Sequence, residues 1–219
     1  MANYRCLVLD HDDTVVQSAK TVNYPSYLEV LRTLRPEAKL TFEQFTLGLF
    51  HDDFVGYCTK EFGYTQEELS YHFNQWKKYV RTHVPPVYEG IPEILQRFHQ
   101  EGGLICMASH SGDENISRDF MTHIGFLPDR LYSSDLPEEQ RKPNPFPLQD
   151  IMERYHLKAQ ELLVVDDMTG GLKMANACGV PFACAGWSHE VKEVADFMKK
   201  QTTLYLNTVE DFRKLVFGE

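Results

Sequence analysis

The stretch "RCLVLDHDDTVVQS", Arg5 to Ser18, decides how this chain is read. An apolar run, Cys6-Leu7-Val8-Leu9, leads directly into Asp10, His11, Asp12 and Asp13. Apolar residues in unbroken succession, with no polar alternation, predict a strand buried on both faces. The carboxylates next in the chain, at Asp10, Asp12 and Asp13, repel one another unless something positive sits among them. In open α/β sheets, ligands gather at the carboxyl ends of the strands. The crowded acids stand at such an end.

The rest of the chain repeats the pattern. Strand-sized apolar runs recur at Leu104–Ala108, Arg130–Tyr132, Leu162–Val165, Pro181–Ala185 and Leu204–Leu206. Helical stretches lie between them. Capping-box spacing marks helix starts at Ser111 with Glu114 and at Thr208 with Asp211. Alternating strand and helix predicts an α/β fold, a Rossmann-like parallel sheet flanked by helices. One region breaks the rhythm. From about Ala19 to Val84 there is no strand pattern, while capping boxes recur at Thr41/Gln44 and Thr65/Glu68. Aromatics recur there as well, including Phe42, Phe45, Phe54, Tyr57, Phe62 and Trp76, and read as that region's own core. Pro85 and Pro86 close it. The expected organisation is a core of residues 1–17 and 85–219, with an all-helical insert of residues 18–84.

The residues just past the apolar runs carry the chemistry. The first run leads into Asp10-His11-Asp12-Asp13-Thr14 and the second into Ser109-His110-Ser111. Arg141-Lys142-Pro143 comes after the third run and a loop, and Asp166-Asp167 after the fourth. Singly, each has an ordinary explanation: acids and serine cap helices, and a lysine is a solvated charge. Together, in chain order and each past an apolar run, they predict one shared site.

These residues resemble the four motifs of the haloacid dehalogenase-like superfamily. "DHDDT" resembles its Asp-x-Asp-x-Thr motif, "ICMASHS" the strand ending in Ser or Thr, "KPNPFPL" the Lys-Pro motif, and "VVDDMTGGLKMANACG" the paired-acid motif. An insert after the first motif is where the family places a helical C1 cap. The likeness is to the C1-capped branch of phosphatases and β-phosphoglucomutase-like proteins.

The resemblance implies a phosphatase working through an aspartyl-phosphate. Asp10 would be the nucleophile, since a carboxylate can attack phosphorus and split one hard displacement into two. Asp12 would be the general acid and base. Ser109 would bind phosphoryl oxygens, and Lys142 would neutralise charge on the transferring group. Thr14, His110 and Ser111 would line or support the substrate side. Mg²⁺ would be held by Asp10, Asp166, Asp167 and, through its backbone carbonyl, Asp12. Asp12 also disfavours a dehalogenase, in which no leaving oxygen needs a proton.

Three positions depart from the family pattern, one of them His110, which follows Ser109 where small or polar residues are common and could reach a substrate or merely line the cleft. Asp13 stands where a glycine is usual; aspartate tolerates positive φ next best. Gly171 stands where other branches carry a further acid. In the insert, the polar loop at His51, Asp52 and Asp53 is a candidate specificity element.

Composition sets the remaining bounds. The chain has 219 residues and a formal net charge of -10. That acidity argues against nucleic acid or an anionic membrane surface as partner. No apolar run approaches the ~20 residues of a membrane span. The five cysteines show no Cys-x-x-Cys spacing, which predicts reduced thiols in a cytoplasmic protein. The expectation is a monomer or weak homo-oligomer acting on a small phosphorylated metabolite. A sugar-phosphate mutase and a non-catalytic phosphate-binding regulator are the alternatives.

Overall fold

The computed structural model describes residues 2–219. Strands β1 (Cys6–Leu9), β2 (Leu104–Ala108), β3 (Arg130–Tyr132), β4 (Leu162–Asp166), β5 (Phe182–Ala185) and β6 (Tyr205–Leu206) form one sheet. Their spatial order is β3-β2-β1-β4-β5-β6, and every pairing is parallel. The strand order reverses beside β1, where β2 and β4 flank it. That is the place where an open parallel sheet leaves a crevice.

Both faces of the sheet are covered, which is why the runs lack polar alternation. Leu7 and Leu9 of β1 enter one apolar cluster, together with Ile105, Met107, Leu163 and Val165. Their neighbours Cys6, Val8, Cys106, Ala108, Leu162 and Val164 enter the other. Successive strand residues point to opposite faces, so each layer takes alternate side chains. Burying such side chains contributes about 1.5–3 kcal/mol each.

Helix α1 (Tyr24–Leu34) follows a π-helical turn at Ala19–Asn23; α2 (Phe42–His51), α3 (Phe54–Phe62) and α4 (Gln66–Thr82) complete the region before β2. Thr41 and Thr65 form the expected capping boxes with Gln44 and Glu68. Tyr27, Leu31, Phe45, Tyr57, Cys58, Tyr64 and Leu69 make a third apolar cluster, separate from the sheet's two. The linkers into and out of these helices run side by side. Gln17 N–H donates to the Pro86 carbonyl at 2.8 Å, and Tyr88 N–H to the Val15 carbonyl at 3.1 Å.

The remaining helices are α5 (Ile91–Gln100), α6 (Asp113–His123), α7 (Phe146–Tyr155), α8 (Thr169–Cys178), α9 (Lys192–Gln201) and α10 (Val209–Phe217). Thr208 and Asp211 form the predicted box at α10. The box predicted for Ser111 does not form. Gly112 occupies the N-cap of α6, and the Ser111 hydroxyl is used elsewhere. Among the described residues, no helix is long and apolar enough to cross a membrane.

Candidate active site

The sheet brings the predicted acids together. Asp10 is the first residue past β1, Asp166 the last of β4, and Asp167 the next. One carboxylate oxygen from each lies within 4.8 Å of the others, and all three are buried. Lys142 reaches in from the loop before α7. Its Nζ is 2.8 Å from Asp10 Oδ1 and 2.7 Å from Asp166 Oδ2. Burial works against the charge on Lys142, but the two flanking carboxylates outweigh it and hold the ammonium above its ordinary pKa.

The acids are not equivalent. Both oxygens of Asp166 have protein donors: Met168 N–H at 2.8 Å on Oδ1, and Lys142 on Oδ2. Burial still pushes Asp166 up to about 6, against the pull of Lys142. Asp167 is raised well above the ordinary carboxylate value, by burial first and then by Asp166, Asp10 and Asp13. A buried carboxylate beside other carboxylates is costly unless a cation joins it. This donor set of clustered hard oxygens suits a divalent cation such as Mg²⁺. Its first candidates as ligands are Asp10 and Asp167, because Asp166 is already engaged by Lys142 and the Met168 amide.

The hydroxyls lie opposite. Ser109, at the end of β2, is buried and accepts the Ser111 N–H at 3.2 Å. Ser111 Oγ donates to Asp12 Oδ2 at 2.6 Å, fixing the Asp12 carboxylate in the mouth of the site. This bond explains the missing capping box: the hydroxyl is committed to Asp12. His110 lines the cavity, yet its Nε2 donates to the Lys142 carbonyl at 2.9 Å and so ties down the lysine's loop. Thr14 does not line the cavity. It is buried in the loop after β1, and its carbonyl accepts the Trp187 indole N–H at 3.3 Å.

Two of the departures, Asp13 and Gly171, acquire reasons. Asp13 has φ of 53°, the left-handed conformation a glycine would adopt. Its Oδ1 accepts the Ala19 N–H at 3.2 Å, so aspartate adds a tie that glycine lacks. Burial and the neighbouring Asp12 push Asp13 up to about 7. Gly171 cannot carry an acid. A Cβ there would lie 2.5 Å from Asp166 Oδ2.

Some supports carry no local sequence signal. His11 Nε2 donates to Asp119 Oδ2 at 3.0 Å, both side chains buried. Arg118 holds the other Asp119 oxygen at 2.7 Å and donates to the Val80 and Arg81 carbonyls at the end of α4. His189 Nε2 donates to the Asp167 carbonyl at 2.8 Å. Asp119 and His189 sit in amphipathic or loop sequence far from their partners; only the fold joins them.

The predicted polar loop of the insert does not face the site. His51 pairs with Glu193 at 2.9 Å, Asp52 with Lys60 at 2.6 Å, and Asp53 caps α3 through the Gly56 N–H. None lines the cavity above Asp10. Asp52 and Asp53 find their partners on α3, and His51 finds its partner on α9. The cavity, of about 600 Å³, is instead walled by side chains of the π-helical turn, α1, α2 and α4, and by Phe54.

Paired acids, a buried lysine and a serine at the carboxyl edge of a parallel sheet define a Rossmann-like hydrolase site. The profile of the haloacid dehalogenase-like hydrolases matches residues 7–185. The chain belongs to that family. A phosphoglycolate phosphatase of Aliivibrio fischeri (strain ATCC 700601 / ES114) is 26% identical over 94 residues. That match spans 42% of this chain and 41% of the relative. Solved structures share the fold at lower identity. A predicted phosphoglycolate phosphatase from Haemophilus somnus 129PT superposes with a TM-score of 0.70 at 16% identity, over 92% of this chain and 100% of that one. CbbY from Rhodobacter sphaeroides, solved with xylulose-(1,5)bisphosphate, gives 0.69 at 12% identity over 94% of each chain.

Proposed function

We propose that the protein is a Mg²⁺-dependent phosphatase hydrolysing a small phosphorylated metabolite through an aspartyl-phosphate on Asp10. The observation that carries this reading is the Lys142 ammonium held between Asp10 and Asp166, with Asp167 beside them. Such a cluster invites an anion only when cations hold its charge. Bound Mg²⁺ would supply Lewis-acid neutralisation of the phosphoryl oxygens and of Asp10.

The chain's own residues divide the remaining work. Asp10 attacks phosphorus, and the bond to the leaving oxygen breaks. Asp12, oriented by Ser111, gives its proton to that oxygen and afterwards removes one from the hydrolytic water. Ser109 donates to a phosphoryl oxygen. Lys142 orients the Asp10 carboxylate and balances charge as it moves onto the phosphoryl group. Asp166 orients Lys142. His110 fixes the Lys142 loop, while Thr14 supports the loop that carries Asp12.

Residues 18–84 are read as a cap on a core of residues 1–17 and 85–219. The side-by-side linkers at Gln17 and Tyr88 support this, as a hinge absorbing rotation in few residues. Contacts across the mouth support it too: Lys20 with Glu190 at 2.6 Å, and Phe50 against Phe197 at 5.2 Å. Closure would keep water away from the first step. The free cysteines, mostly buried, suit a reducing compartment such as the cytoplasm.

Phosphate release from simple monoesters tests the reading. The wild-type chain should release phosphate with Mg²⁺ and stop on chelation. Asp10→Asn should abolish turnover, and retention of most activity by that variant would exclude Asp10 as nucleophile.

A further inference from the structure

The wall of the cavity facing Asp10 is largely aromatic, with Lys20, Asn23 and Thr46 as polar side chains on it. Phe42, Phe45, Phe54, Phe73 and Trp76 line it, with Leu49 and the ring of Tyr27 among them. His72 belongs to the same wall. Burial pushes it down to about 4, so near neutral pH it contributes a ring and no charge. It packs edge-on against Phe54 at 5.0 Å and tilts over Tyr27 at 4.6 Å.

Positive charge is nearly absent from that wall. Among the described residues, the lysines lining the cavity are Lys20 and Lys142, and there is no lining arginine. Lys142 is committed to Asp10 and Asp166. Lys20 pairs with Glu190, its Nζ 2.6 and 2.9 Å from the two oxygens, in an exposed ion pair that lies 5.7 Å over the Phe42 ring. Lys77 lies 4.5 Å over the Phe73 ring but does not line the cavity. A second phosphate or a carboxylate on the substrate would therefore meet rings, Asp12, Asp13 and a Lys20 already paired with Glu190, with no unpaired cation to receive it. Placing an unpaired anion there costs more than it gains.

We infer that the substrate is a monophosphate ester whose leaving group is uncharged and aromatic, seated among Phe45, Phe54, Phe73 and Trp76. This rests on the phosphatase reading and names the substrate class of the same site. A volume of about 600 Å³ accommodates a leaving group of one or two rings. Rings stack and meet edge to face, which the present geometry already favours: Phe73 and Trp76 lie 5.7 Å apart, inclined by 22°. The inference separates this chain from the phosphoglycolate in its relatives' names and from the bisphosphate bound to CbbY, both of which carry a second anionic group.

Esters matched in leaving-group reactivity test this. With Mg²⁺, kcat/KM for benzyl phosphate should exceed that for ethyl phosphate and for 2-phosphoglycolate by about tenfold or more, as expected for several methylene equivalents in an apolar pocket. Phe73 is half-exposed, so its truncation leaves the core intact. Phe73→Ala should lower the benzyl-to-ethyl ratio by about threefold or more, chiefly through KM. Calorimetry on the wild-type chain with Mg²⁺ provides a second reading, with benzylphosphonate expected to bind more tightly than phosphonoacetate. Ratios at or below one, in turnover or in binding, overturn the aromatic assignment and leave the phosphatase standing. If no ester releases phosphate yet benzylphosphonate binds preferentially, the phosphatase reading falls and the aromatic pocket remains.

Discussion

Replacing Gly171 with alanine should damage the site without altering a charged residue. Gly171 lies in the first turn of α8, against the root of the Asp166 side chain. A methyl at this position would stand 2.5 Å from Asp166 Oδ2 and 2.6 Å from Asp166 Cβ. Carbon atoms rest about 3.5–4.0 Å apart, so the overlap is roughly 1 Å. Asp166 cannot rotate out of it, because its Cβ does not move with χ1. Overpacking costs about 1–3 kcal/mol, and this contact belongs at the upper end. Alanine returns about 1 kcal/mol of helix propensity. The clash wins by about 2 kcal/mol, which lowers Tm by about 4–8 °C in a chain of this length. Activity should suffer more than stability. Asp166 Oδ2 is the anchor of Lys142 at 2.7 Å, and displacing it by roughly 1 Å is worth about 100-fold in rate. Scanning calorimetry and a phosphate-release assay on Gly171→Ala read both effects. A variant that melts at or above the wild-type temperature and turns over normally would refute the packing argument.

The same geometry predicts other outcomes. The buried His72 ring resists protonation until about 4, while the unfolded chain takes its proton near the ordinary 6.5. Protons then bind preferentially to the unfolded state as pH falls, so stability present above about 6.5 is lost toward 4. The loss is about 3 kcal/mol, from about 2.5 pH units at 1.36 kcal/mol each. His72→Phe should flatten that part of the stability–pH curve in urea titrations; an unchanged slope rejects the assignment. At Asp13, φ of 53° should make Asp13→Val less stable than Asp13→Gly by about 2 kcal/mol, since a β-branched residue is strained there. Equal denaturation midpoints would show that the left-handed conformation does not govern the position. Mg²⁺ at 100 times its dissociation constant should stabilise the chelator-treated protein by about 2.7 kcal/mol, and Asp167→Asn should remove most of the gain. A melting temperature indifferent to Mg²⁺ would count against a cation among Asp10 and Asp167.

Local chemistry and long-range geometry differ in how far they can be read along a chain. The strands were legible because a doubly covered sheet demands unbroken apolar runs, and Cys6–Leu9 supplies its two layers by alternate residues. The boxes at Thr41, Thr65 and Thr208 were legible because each closes within three residues. Ser111 has the same spacing and a different fate. Its hydroxyl finds the carboxyl group of Asp12, distant in sequence, at 2.6 Å, and so is not left to cap the helix. The acids of the site were legible as a set because they stand at, or just past, the ends of apolar strands. The buried pair of His11 and Asp119 was not, since nothing near either residue announces the other.

The aromatics of the helical insert mark the limit most clearly, because one pattern serves two ends. Their spacing predicts a self-contained core, and Phe45 and Tyr57 do pack into one with Tyr27 and Leu31. Tyr27 and Phe45 also line the cavity over Asp10, as do Phe54 and Trp76. A ring has two faces and an edge, so one side chain can hold the helices together and still present surface to a ligand. Periodicity reports only that a face is apolar, never whether protein or substrate covers it. The polar loop at His51–Asp53 misleads for the converse reason. Charged residues attract a functional reading, yet His51 pairs with Glu193, Asp52 pairs with Lys60, and Asp53 caps α3. In this cavity the acids and Lys142 gather at the sheet's edge, while the rings of the insert line the wall above them.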